Sequence, residues 1–121
     1  MDFTERLNLY LEGGMITEKD VDDINAIINM FKDKYGYVLQ EENADTFIAH
    51  LCAAFGRVST KEEVTALPNE VKNELEGLDS YALSRQMLQD VLAVIQNPLN
   101  NVEQDYALLH INNLISKMSG N

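Results

Sequence analysis

Hydrophobic positions recur at steps of three and four along most of this chain, which is the period of an amphipathic α-helix. The clearest series is the one that Gly36 closes, and it consists of Val21, Ile24, Ile28, Phe31 and Tyr35. No segment shows a convincing alternation of period two, which a half-buried β-strand requires. The pattern therefore predicts an all-α fold, a compact bundle of about five main helices.

Glycines and capping residues predict the bounds of the first two helices. A short helix over residues 4–12 stops at the pair Gly13-Gly14, because glycine readily ends helices. Thr17 offers an N-cap for the second helix, and Asp20, three residues later, completes an approximate capping box. The second helix then ends at the glycine that closes the apolar series.

The later helices have less sharply defined bounds. The third begins near Asn43 and breaks at Ser59-Thr60, and residues 61–79 are expected to hold only a short turn and a brief helix. Pro68 suits the first position of that brief helix, where a missing N–H costs no hydrogen bond. The remaining predicted bounds are Leu75 and Gly77 for the end of the brief helix, Asp79 or Ser80 and Asn97-Pro98 for a long helix, and Val102 and Met118 for the last.

The charge of the chain narrows the classes of function. Asp and Glu number 20 against 9 Lys and Arg, which gives a formal net charge of −11. A chain this acidic repels phosphate backbones and anionic lipids, so no direct binding of nucleic acid or membrane is expected. The 121 residues form one domain, 1–121, because no linker rich in Gly, Ser or Pro divides them. Without a signal-peptide pattern or an apolar run near roughly 18 residues, a cytoplasmic location is expected.

The single cysteine, Cys52, excludes an internal disulfide and a cysteine-based zinc cage. It lies among apolar residues, so its expected role is that of a small core side chain. No Gly-rich phosphate loop and no Ser/His/Asp arrangement stands out. Neither a metal nor a cofactor is expected.

The two histidines, His50 and His110, are the candidates for chemistry. On a helical wheel, His50 and Arg57 are seven residues apart and fall within about 20° of each other. Both lie at the margin of the apolar face of the third helix. A guanidinium is therefore expected on the same stripe as the first imidazole.

The last predicted helix repeats this arrangement. Glu103, His110 and Lys117 are spaced by seven residues and share a strip about 40° wide, which Tyr106 and Asn113 border. Most of the remaining circumference is apolar, which predicts a largely buried helix. A polar strip on such a helix must face a groove, a partner or another polar strip.

Two interpretations of the histidines are open at this point. A lone histidine on an otherwise apolar helix is usually a hydrogen-bonded core residue, which favours a structural role. Alternatively, an imidazole that titrates near pH 6.5 is a competent nucleophile toward a phosphoryl donor. A nearby Arg or Lys would then stabilise the transferred dianion.

The segments around the two histidines form a pair of motifs. In residues 47–57 an apolar run leads into His50, and an arginine follows seven residues later. In residues 103–113 a glutamate stands seven residues before His110, an aromatic residue four before and an asparagine three after. This pair, with its sixty-residue separation of the histidines, resembles the two motifs of the PTS regulation domain (PRD) family. The resemblance covers about residues 5–118.

The resemblance implies a regulatory domain and not an enzyme. PRDs are helical domains whose histidines accept phosphoryl groups from the phosphocarrier HPr or from enzyme II components of the sugar phosphotransferase system. By this resemblance His50 and His110 are the acceptors, and Arg57 and Glu103 are the associated motif residues. Family members commonly carry Asp directly before the first histidine, where this chain has Ala49, so His110 is expected to be at least as reactive as His50.

Two further expectations concern assembly. The chain resembles a stand-alone single PRD, and phosphorylation in that family changes how domains dimerise. A last helix that is apolar around most of its circumference also predicts a homodimer, since one small bundle would not hide that surface. We expect Asn113 and Lys117, on or beside the strip of His110, to support the phosphoryl group. The alternative is a constitutive helical adaptor or dimerisation protein with structural histidines.

Overall fold

The computed structural model describes residues 3–96 and 98–118, and that part of the chain is helical without any strand. The predicted all-α fold is therefore confirmed. Six helices are present rather than about five, and the additional one is the short α4, at the place of the predicted brief helix. The helices are α1 Thr4–Glu12, α2 Glu18–Tyr35, α3 Glu41–Thr60, α4 Asn69–Glu76, α5 Tyr81–Val94 and α6 Asn101–Met118.

The capping box predicted for α2 is present. The Thr17 backbone N–H donates to the Asp20 carboxylate at 2.9 Å, and the Asp20 N–H donates to the Thr17 hydroxyl at 3.2 Å. Gly36 ends the helix with a φ of 71°, a left-handed conformation that glycine adopts without strain. Both ends of α2 therefore follow from local sequence.

The predicted bounds of α3 were too narrow. The helix starts at Glu41 because the Gln40 backbone N–H donates to the Asn43 side chain at 2.9 Å, which places the cap earlier than expected. It continues through Ser59-Thr60, where a break was predicted, and ends at Lys61 with a φ of 61°. The Thr60 hydroxyl donates back to the Gly56 carbonyl at 3.2 Å, a bond that keeps this residue inside the last turn.

Ser80 occupies the N-cap position of α5, but its side chain does not cap the helix. Its hydroxyl donates instead to the Asn112 side chain on α6. The tertiary contact thus replaces the expected local one. α5 ends at Val94, and Asn97 of the predicted terminator lies outside the described residues.

The core is organised around α6, which packs most extensively on α3 and α5 and also contacts α4. α3 contributes a continuous buried face, and Cys52 belongs to it, as predicted. Burial raises the pKa of the Cys52 thiol to about 11, so the thiolate is scarce at neutral pH. The buried apolar residues of α3 and α6 are Ala44, Phe47, Ile48, Leu51, Cys52, Ala54, Phe55, Ala107, Leu108, Ile111, Leu114 and Ile115.

The central place of α6 changes the reason for expecting a homodimer. The apolar circumference of α6 is covered by α3, α4 and α5 of the same chain, so it does not call for a second copy. The large exposed apolar side chains of the described residues lie on other segments. The expectation of a homodimer therefore depends only on the resemblance to the PRD family. None of the described helices combines the length and the apolar character needed to span a bilayer.

Candidate functional site: the paired histidines

The packing of α3 against α6 brings the two histidines together. The ring centroids of His50 and His110 lie 4.8 Å apart and the ring planes are inclined by 30°, a stacked arrangement. Each histidine is half-buried and precedes a fully buried residue, Leu51 on α3 and Ile111 on α6, so both rings lie at the edge of the core. Two residues sixty positions apart in sequence thus form one site.

The other two motif residues meet beside the rings. Arg57 donates to the Glu103 carboxylate through Nε at 2.6 Å and through a terminal nitrogen at 2.9 Å, a bidentate ion pair. Arg57 lies seven residues after His50, and Glu103 lies seven residues before His110. Because α3 and α6 run in opposite directions here, the two spacings coincide in space. The stripe on α3 and the strip on α6 therefore face each other.

The ion pair is unequally buried. The Glu103 side chain is 2% exposed, whereas that of Arg57 is 25% exposed. The hydrogen bond to Glu103 is the main cause that raises the pKa of the Arg57 guanidinium. A carboxylate so deeply buried depends on its partner, because an uncompensated buried charge is strongly unfavourable.

The start of α6 places Glu103. The Asn100 side chain accepts a hydrogen bond from the Glu103 backbone N–H at 2.9 Å, which starts the helix at Asn101, one residue before the predicted start.

The glycine at position 56, directly before Arg57, is explained by close packing. A Cβ there would lie 3.2 Å from the Met15 carbonyl oxygen, so glycine permits this close approach to α3.

Each ring has one buried nitrogen that finds no hydrogen-bond partner among the described residues, Nε2 of His50 and Nδ1 of His110. Burial is the main cause that lowers the pKa of His50 to about 4, and the neighbouring His110 lowers it further. Arg57 acts in the same direction, while Glu103 opposes it. Burial also lowers the pKa of His110. Both imidazoles are consequently neutral at neutral pH, so their unprotonated nitrogens carry lone pairs.

Tyr106 holds the segment between α3 and α4 against the site. The sequence had placed this residue only at the border of the polar strip on α6. Its hydroxyl donates to the Thr65 carbonyl at 2.6 Å, and its ring centroid lies 6.2 Å from that of His50. Its position four residues before His110, one helical turn away, was the feature of the sequence that pointed to this residue. The chain between α3 and α4 is thereby tied to α6.

Asn113 and Lys117 are exposed on α6, and neither forms part of the ring stack or of the ion pair. The buried asparagine is the preceding residue, Asn112, which is 3% exposed and accepts a hydrogen bond from Ser80. A helical wheel drawn for one helix could not indicate this residue, because its partner lies on α5. The proposed supporting roles of Asn113 and Lys117 are left as predictions.

Within residues 3–96 and 98–118, no group of three or more His, Cys, Asp or Glu side chains is placed to hold a metal ion. The site around the two histidines consists of two stacked imidazoles and one ion pair.

Comparison of the chain with protein-family models, with curated proteins and with solved structures found no match. No family membership is assigned on this ground. What the structure shows at this site is the geometry of the four motif residues, His50, Arg57, Glu103 and His110.

Proposed function

We propose that this protein is a phosphorylatable regulatory domain of the bacterial sugar phosphotransferase system. It accepts phosphoryl groups on His50 or His110 from HPr or an enzyme II component, and it changes its oligomeric state or its partner in response. One observation carries the proposal. The two motif histidines stack at 4.8 Å, beside the bidentate ion pair that the other two motif residues form.

The protonation state of the rings suits this chemistry. With both pKa values lowered, each imidazole is neutral at neutral pH and offers a lone pair. That lone pair attacks the phosphorus of the donor's phosphohistidine. The new N–P bond forms as the donor's N–P bond breaks, and the electron pair returns to the donor's ring nitrogen. The donor supplies the catalysis, so the domain is an acceptor and not an enzyme, and no cofactor takes part.

Arg57 is the cation placed to stabilise the transferred group. A quarter of its side chain is exposed, so the guanidinium can reach outward while it remains near Glu103. We propose that it shares its donors between the carboxylate and the phosphoryl oxygens, for which a planar guanidinium is well suited. Asn113 and Lys117, exposed further along α6, would support the same group from the solvent side.

The proposal is tested by incubating the protein with phosphoenolpyruvate, enzyme I and HPr. A phosphate that is labile in acid and stable in base is expected on the wild type and absent from the double variant His50→Ala, His110→Ala. Circular dichroism of the double variant controls for unfolding. A folded double variant that still carried the labile phosphate, or a wild type that took none from HPr or from any enzyme II component, would contradict the proposal.

The second candidate is a constitutive helical adaptor or dimerisation protein with structural histidines. Two observations favour it. One nitrogen of each ring is buried, and Arg57 already donates two hydrogen bonds to Glu103. On this alternative the protein takes no phosphate, and substitution of the histidines changes stability or assembly only.

The proposal also covers the setting of the protein. A cytoplasmic location, a homodimer and the absence of direct nucleic-acid binding belong to it. The last of these is supported by the net charge of −11, which repels phosphate backbones.

A further inference from the structure

We propose that each domain carries one phosphoryl group at a time, on His50 or on His110 but never on both. This inference rests on the proposed function, because it concerns how the same two acceptors are regulated. The stacked rings, with centroids 4.8 Å apart, share one small space at the edge of the core.

Charge is the first reason. A phosphoryl group adds roughly −1.5 to −2 at neutral pH, by analogy with other phosphorylated side chains. The ring centroids are 4.8 Å apart, so two such groups on the same side of the stack would lie within the Debye length of about 8 Å at physiological salt, where ions in solution screen them only weakly. Like charges this close strongly disfavour the state in which both are present.

The supply of counter-charge is the second reason. Arg57 is the cation whose charge acts on His50, and the Glu103 carboxylate already balances it. A first phosphoryl group can draw on the exposed side of this guanidinium. A second group would have to compete for the same five N–H donors with the first group and with a carboxylate that is 2% exposed. The ion pair that supports one dianion thus has no capacity for two.

Space is the third reason. Both rings are half-buried, and each has a nitrogen that lies out of contact with solvent. A phosphoryl group on either ring would then bond to the other nitrogen, and we infer that it would crowd the stacked partner, whose ring centroid is 4.8 Å away. The two acceptors thereby become alternatives.

Intact mass spectrometry at neutral to mildly alkaline pH tests the inference, because phosphohistidine survives there. The wild type and the variants His50→Gln and His110→Gln are incubated to saturation with phosphoenolpyruvate, enzyme I and HPr. Glutamine keeps a polar side chain of similar reach, and circular dichroism checks that each variant is folded. Each of the three proteins is expected to gain one phosphoryl mass at saturation, because like charges on the two stacked rings disfavour a second addition to the wild type.

Each other result is decisive. Two phosphoryl masses on the wild type would overturn the exclusion while supporting the proposed function. One mass on the wild type and none on one folded variant would show a single acceptor, which also overturns the exclusion. If none of the three proteins takes up phosphate from HPr, the incubation is repeated with enzyme II components as donors, and no uptake from any of these donors would refute the proposed function, and the exclusion with it.

Discussion

Removal of Arg57 tests how strongly the ion pair joins α3 to α6. In Arg57→Ala the Glu103 carboxylate, 2% exposed, loses both of its bonds at 2.6 and 2.9 Å and stays in the core without a partner. Breaking a fully buried pair by deleting one partner destabilises a protein by about 3–5 kcal/mol. Because Arg57 itself is 25% exposed, we expect the lower end, about 3 kcal/mol. For a domain of this size that lowers the melting temperature by roughly 10 °C.

The assay is urea unfolding followed by circular dichroism, with two companion variants. Arg57→Ala combined with Glu103→Gln removes the orphaned charge and is expected to recover at least about 1 kcal/mol relative to Arg57→Ala alone. Lys72→Ala is the matched control, because its pair with Asp105 joins side chains that are 39% and 38% exposed at 3.4 Å. An exposed pair of this kind contributes about 0–1 kcal/mol. If Arg57→Ala loses no more stability than Lys72→Ala, or if the second substitution recovers nothing, the buried carboxylate does not depend on its partner and the reasoning is wrong.

Three further outcomes are expected. The pKa of His50 is lowered to about 4 from a reference of 6.5, so the contribution of the neutral ring to stability is fully present above pH 6.5 and is lost as the pH falls toward 4. Between pH 6 and 5, the free energy of unfolding should therefore drop by about 1 kcal/mol more in the wild type than in His50→Gln. Equal slopes in the two proteins would contradict the pKa shift. Arg57→Ala, assayed well below its melting temperature, should be phosphorylated several-fold more slowly, because one cation at a partly exposed site stabilises the transferred group by about 1 kcal/mol. Arg57→Lys should restore part of the rate. An unchanged rate in Arg57→Ala would show that Arg57 does not support the phosphoryl group. In sedimentation at two ionic strengths, phosphorylation should shift the mass or shape of the particle, more strongly at low salt; identical behaviour of both forms would mean that a partner reads the phosphohistidine directly.

Local sequence was sufficient to predict most helix ends and the position of each candidate site residue around its helix axis. The capping box of Thr17 and Asp20 involves only residues three apart, so the sequence contains all of it. The shared stripe of His50 and Arg57 likewise depends only on the helical period. These predictions succeeded because no tertiary contact had to be known.

Partners across helices could not be predicted in this way. The wheel placed Arg57 beside His50 but did not show that Glu103 would engage it, because a wheel holds no information about the neighbouring helix. Asp79 or Ser80 was expected to cap α5, yet the Ser80 hydroxyl donates to Asn112, since a buried acceptor on α6 outweighs a cap exposed to water. The apolar circumference of α6 was assigned to a partner subunit for the same reason: its covering helices belong to the same chain but were not visible in its local pattern.

The antiparallel contact of α3 and α6 also sets the order in which the molecule can assemble. The contacts that build the site span 46 residues between Arg57 and Glu103 and sixty between the histidines, so a long loop has to close before either pair forms. During synthesis, α1 to α5 leave the ribosome before the helix that completes the core is available to them. Until α6 emerges, α3 and α5 lack the surface that buries their apolar faces, and they are exposed to proteases and chaperones. The histidines therefore come together in the same step in which the polypeptide becomes resistant to degradation, so a nascent chain cannot carry the assembled site before it has folded.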